Sequence, residues 1–205
     1  MGRLIVTEFV SLDGVAQAPG GPEEDPDDGF AYGGWQAPLM TDDGAGEVMF
    51  EQASHMDALL LGRRTYDIFA GYWPSAPDEI PFTRLLNEVP KYVASRTLRA
   101  PLEWQGSTVL DGDLAAAVGE VLDRHDEVHV IGSLDLVQSL LAARLVDRLD
   151  LWVYPLLLGE GKKVFADGTV PAALQLVEST TYPSGTIHAV YDTGGEPAVG
   201  DMTQD

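Results

Sequence analysis

The stretch Ala58-Leu-Leu-Leu-Gly-Arg-Arg64, followed by Thr65-Tyr66-Asp67, constrains the fold more than any other. Apolar residues that stop at a glycine predict a strand buried on both faces, and the arginines and threonine beyond it open a helical pattern. A strand that ends this way can hold an anion. N–H groups at a helix start carry partial positive charge, Gly62 lets a ligand approach the main chain, and Arg63 and Arg64 can grip phosphate oxygens in pairs. From Gly62 to Arg99 there are six basic and four acidic side chains, net +2, in a chain of net charge −21. Such an island suits a small polyanion such as a dinucleotide better than a nucleic acid, which the overall field repels. Pairing of these arginines with neighbouring acids is the plainer alternative.

With 205 residues, 45% of them hydrophobic, the chain fits one soluble globular domain with a real core. The lack of cysteine excludes disulfides and thiolate chemistry. Met1-Gly2-Arg3 runs directly into Leu4-Ile5-Val6 without a signal-peptide pattern, and no apolar run reaches membrane-spanning length. A cytoplasmic protein with no membrane or nucleic-acid partner is expected.

Arg3 to Val10 reads as a strand that ends in Ser11-Leu12-Asp13-Gly14, a carboxylate at the strand edge where open α/β sheets collect ligands. An ordinary Asp-Gly turn is the competing account. Gln17 to Gly34 is rich in Gly, Pro, Asp and Glu without Lys or Arg and predicts a long exposed loop, either a lid or disordered. Helical spacing over Asp42 to His55 places Glu47 near a helix start. A helix over Thr65 to Tyr72, a short one over Phe82 to Asn87 and a strand over Pro90 to Ser95 follow, the strand ending in the polar, cationic Ser95-Arg96-Thr97. Strands over Ser107 to Leu110 and Glu127 to Ile131 bracket a helix over Asp113 to Arg124. Gly132-Ser133 then opens another helix, either as an anion-binding junction or with Ser133 as a simple N-cap. Leu149 to Leu158 reads as an apolar strand, at an interface or in the core, and Leu174 to Thr181 with Thr186 to Thr193 as a hairpin. Gly194 to Asp205 reads as a flexible acidic tail.

The four histidines are scattered without metal-ligand spacing, so no metal is expected. Gly159-x-Gly161-x-x-Val164 lacks the third glycine of the dinucleotide fingerprint and precedes no long helix.

Five junctions in register carry a resemblance. They are Ser11-Leu12-Asp13-Gly14, Leu60-Leu61-Gly62-Arg63-Arg64-Thr65-Tyr66, Val93-Ala94-Ser95-Arg96-Thr97-Leu98, Ile131-Gly132-Ser133, and Tyr154 to Phe165. In order, they resemble the reductase domain of riboflavin biosynthesis, the RibD C-terminal family of the dihydrofolate-reductase-like superfamily. The resemblance implies an α/β, three-layer fold over residues 1–193, a central mixed sheet with flanking helices and C-terminal antiparallel strands. It implies NADPH held by Gly62, Arg63 and Thr65 at the phosphates, by Ser95 and Arg96 at the 2′-phosphate, and by Gly132 and Ser133 at the pyrophosphate, with Arg64 and Thr97 also among the cofactor-binding residues. A charge-assisted contact to the extra phosphate is worth roughly 1.5–3 kcal/mol, enough to favour NADPH over NADH tenfold or more. Asp13 and Glu47 are the implied catalytic residues, the 17–34 insertion takes the place of a mobile active-site loop, and a homodimer is expected. The implied activity is hydride transfer to a C=N or C=O of a small heterocycle, as in 5-amino-6-(5-phosphoribosylamino)uracil reductase or dihydrofolate reductase. No basic cluster for a ribose-phosphate substrate is evident, so a non-catalytic nucleotide-binding or regulatory protein with the same fold stays open.

Overall fold

The computed structural model describes residues 1–202. Its elements are β1 (Arg3–Ser11), α1 (Ala45–Ala53), β2 (Ala58–Gly62), α2 (Arg63–Tyr72), α3 (Pro81–Glu88), β3 (Lys91–Ala94), β4 (Ser107–Leu110), α4 (Leu114–Leu122), β5 (Glu127–Ile131), α5 (Leu134–Ala142), β6 (Arg148–Tyr154), β7 (Leu174–Thr181) and β8 (Ile187–Thr193). They form one eight-stranded sheet in the order β4-β3-β2-β5-β1-β6-β8-β7. The first six strands run parallel to their neighbours, and β6, β8 and β7 pair antiparallel. The C-terminal ends of β1 to β6 therefore share one edge.

Alternation explains the layers. In β2, Ala58 and Leu60 join a core with Val118, Val121, Val137 and Leu140 of α4 and α5, whereas Leu59 and Leu61 join Tyr66 and Leu86 of α2 and α3 on the opposite face. Both faces of the strand are thus covered, and each such leucine contributes roughly 1.5–3 kcal/mol on burial. A third cluster, with Trp35, Met49, Trp152 and Tyr154, lies towards β6. On the same face of the sheet as Trp152, Asp150 and His188 form a fully buried pair, Oδ1 to Nε2 2.7 Å, with the imidazole stacked 4.1 Å from the indole. Glu8 of β1 lies on the other face with Val6 and Val10, only 3% exposed, and its Oε1 has no hydrogen-bond partner among the described residues.

Three expectations need correction, and one pair of alternatives is narrowed. β6 ends at Tyr154 rather than Leu158, because Pro155 has no N–H for the ladder and the chain leaves the sheet, with Leu157 exposed. Of the two readings of this strand, the core one holds, since β6 lies between β1 and β8 with Leu149 and Trp152 buried. Lys91 adds nothing to the cationic island: it is buried 4.4 Å above the Trp104 ring, donates to the Asn87 carbonyl, and burial lowers its amine to about 8. The 17–34 insertion is docked rather than exposed throughout, with Gln17, Ala18, Asp25 and Phe30 all buried. Gly194 and Gly195 hydrogen-bond Ala173, and Glu196 pairs with Arg144. The end of the expected tail, residues 203–205, lies outside the described residues.

Candidate functional site

The C-terminal edge of the parallel strands gathers loops that are distant in sequence. Gly62 ends β2 and precedes α2; its N–H donates to the Ser133 hydroxyl at 2.8 Å, and that hydroxyl donates to Thr65 Oγ1 at 2.6 Å. A Cβ at position 62 would lie 2.6 Å from Ser133 Oγ, so the β2–α2 and β5–α5 junctions approach this closely only with glycine there. Gly62→Ala is expected to cost roughly 1–3 kcal/mol of stability by forced repacking, read as a lowered denaturant midpoint.

Gly132 and Ser133 both have left-handed backbone, φ +73° and +71°. That conformation turns the Ser133 side chain towards Gly62 and Thr65, so it does not cap α5. The N-cap reading of Ser133 accordingly holds for its position and not for its hydroxyl. No side chain caps α2 either. Two helices thus point first-turn N–H groups without side-chain acceptors at one stretch of the edge, where they favour negative charge.

The end of β3 joins the same network. Arg63 donates to Thr97 Oγ1 at 2.7 Å, and the Ser95 hydroxyl accepts from the N–H groups of Thr97 and Leu98. Arg96 is exposed, and its guanidinium has no partner among the described residues. Gly62, Arg63, Thr65, Ser95, Thr97, Gly132 and Ser133 therefore meet, with Arg96 beside them. Arg64 does not: its guanidinium turns to Asp25 and Asp27 of the acidic insertion.

Strand order puts the ends of β1 and β6 next along the edge. There Asp13 accepts from the Ser11 hydroxyl at 2.6 Å and from the N–H groups of Leu158 and Gly159 at 3.1 and 2.7 Å. The Ser11 hydroxyl, with these two backbone donors, lowers the carboxyl to about 2. Asp13 is thus ionised at neutral pH and ties β1 to the segment after β6. Glu47 lies in the first turn of α1, exposed to solvent.

A cavity of 290 Å³ opens beside Asp13's segment, lined by Gln17, Asp27, Asp28, Phe30, Glu160, Gly161 and Lys162. Its wall is built by Gln17, which is 3% exposed. The Gln17 amide donates to the carbonyls of Asp25 and Asp27, and its oxygen accepts from the Lys162 N–H. These residues were missed from the sequence. The signal available was a strongly acidic insertion that needs cations from elsewhere in the chain, Arg64 and Lys162.

The RibD C-terminal domain model matches residues 3–188. The chain belongs to the RibD C-terminal domain family. A relative in sequence is the uncharacterized protein YyaP of Bacillus subtilis (strain 168), 26% identical over 200 residues, covering 94% of this chain and 96% of that one. Among solved structures, a putative riboflavin biosynthesis protein from Shewanella sp. PV-4 superposes with TM-score 0.70 at 19% identity, covering 93% of this chain and 98% of that one. A pyrimidine reductase-like protein from Corynebacterium diphtheriae gives 0.64 at 14% identity, covering 94% and 92%. The diaminohydroxyphosphoribosylaminopyrimidine deaminase/5-amino-6-(5-phosphoribosylamino)uracil reductase of Thermotoga maritima gives 0.62 at 14%, covering 94% of this chain and 56% of that longer one. The fold is that of the reductase-like members of the family.

Proposed function

We propose that the protein is an NADPH-dependent reductase acting on a C=N or C=O of a small heterocycle. The observation that carries this is the hydrogen-bonded convergence of three strand ends through Gly62, Ser133, Thr65, Arg63 and Thr97. The residues fit a phosphorylated dinucleotide on two counts. Glycine at 62 lets the β2–α2 and β5–α5 junctions close on each other through Ser133, and two uncapped helix starts face the edge beside cationic Arg63 and Arg96. In this reading Gly62, Thr65, Gly132 and Ser133 take the pyrophosphate, and Arg63, Ser95, Arg96 and Thr97 the 2′-phosphate. When bound, the nicotinamide supplies the hydride. The chain's own work is to orient the acceptor and exclude water. Asp13, already ionised, positions the 158–159 segment and donates no proton; Glu47 or an ordered water serves as proton source.

Titration of the protein with NADPH, followed by nicotinamide fluorescence, tests the reading, and absence of saturation at tens of micromolar would end it. Arg96→Ala is expected to weaken NADPH at least about tenfold while leaving NADH nearly unchanged. Equal losses for both would remove Arg96 from the 2′-phosphate. Turnover of NADPH with some member of a pterin, pyrimidine and quinone panel separates a reductase from a binding protein of the same fold. A cytoplasmic homodimer completes the proposal, and Leu174, Leu176 and Val177 on the outermost strand give it an exposed apolar edge.

A further inference from the structure

We infer that the acceptor bound beside this edge is uncharged or cationic, and that Asp25 and Asp27 decide this by occupying the two cations that would otherwise receive a phosphate. This rests on the reductase reading for the word acceptor, but its geometry stands alone. Asp25 Oδ1 and Oδ2 lie 3.0 Å from Arg64 NH2 and 2.7 Å from Lys162 Nζ. Asp27 repeats the pattern, 2.5 Å from Arg64 and 2.8 Å from Lys162. Each carboxylate bridges both cations, and the four charges cancel as a closed ring.

This ring is built into the fold. Asp25 is 9% exposed, and the buried Gln17 amide grips the backbone of Asp25, Asp27 and Lys162 at once. The carboxylates pull the same way on both sides: Asp27 is held below its ordinary value chiefly by Lys162, and Lys162 above its own, the two aspartates outweighing burial.

The consequence falls on the cavity. Among the described residues Lys162 is the one basic side chain lining it and is already neutralised, while Asp27, Asp28 and Glu160 also line it. Phe30 supplies an apolar wall. A flat neutral or protonated ring suits this lining. A phosphate ester would meet acids without a free cation, in contrast to the phosphoribosyl compound named for the Thermotoga maritima relative.

The experiment is calorimetric titration with ribose 5-phosphate at low ionic strength, without cofactor, on the wild type, Lys162→Met, Asp25→Asn/Asp27→Asn, and that double variant with Lys162→Met added. The wild type and Lys162→Met are expected to behave alike. The double variant should bind at least about tenfold more tightly than its Lys162→Met counterpart. Comparing each protein with its Lys162→Met partner subtracts any phosphate taken up at the nucleotide edge. Wild-type binding at about 1 mM or tighter that Lys162→Met abolishes overturns the inference. So does a folded double variant that gains no Lys162-dependent affinity. Asp27→Asn alone, at a less buried position, keeps the test available if the double variant does not fold, with a smaller gain in the same direction. Failure of NADPH to bind would defeat the reductase reading and leave these titrations standing.

Discussion

Glu8→Gln is expected to become progressively more stable than the wild type as pH rises from 4.5 to 8, with the difference constant outside that window. The cause is burial: Glu8 sits in β1 among Val6 and Val10, and desolvation raises its carboxyl from 4.5 to about 8. Below pH 4.5 the group is protonated both folded and unfolded and costs nothing by ionisation. Between 4.5 and 8 the unfolded chain releases a proton that the folded chain keeps, so wild-type stability falls as pH rises. At 1.36 kcal/mol per unit the loss reaches roughly 5 kcal/mol above pH 8. Glutamine does not ionise, so the variant escapes this loss, whatever constant offset its unpartnered amide brings. Urea midpoints of both proteins between pH 4 and 9 measure it. A difference that does not change with pH would mean that Glu8 is ionised, and therefore partnered, in the folded state.

The second large effect concerns the pair on the opposite face. Asp150→Leu is expected to destabilise the fold by about 3 kcal/mol, because it strips the buried His188 of its partner. His188 Nδ1 has no hydrogen bond among the described residues, so both ring nitrogens would then be orphaned away from water. Adding His188→Phe keeps an aromatic ring against Trp152 while removing the stranded polar atoms, and should recover at least half of the loss. Chemical denaturation of the two single variants and the double closes the cycle. Additive losses would show that the pair is not a unit.

Much of the architecture was legible because apolar run, glycine and helical pattern alternate along the chain. Gly62 and Gly132 each close a parallel strand, and that punctuation locates the functional edge without any long-range information. The convergence of Arg63 with Thr97 and of Gly62 with Ser133 was legible only as a list of junctions, since strand order decides which of them touch. Other features were hidden for local reasons. Pro155 lies inside an apolar run whose composition still reads as strand, so the exit of β6 was missed. Lys91 counts as a surface charge until Trp104 is seen to cover it. Glu8 looks like a solvent-facing position of a half-buried strand, whereas β1 is covered on both faces. The acidic composition of the insertion masked Gln17 and Ala18, which help to dock it, and called for counterions without singling out Lys162 as one.

The position of β1 bears on how the chain is made. Its neighbours are β5 and β6, whose pairing begins at Glu127 and Arg148. During synthesis Leu4 to Val10 must wait without a partner until β5 has emerged, and without its second partner until β6 has followed. Nascent chains halted before Arg148 lack one flank of the central strand, and they are the species for which a chaperone holding that N-terminal segment matters most.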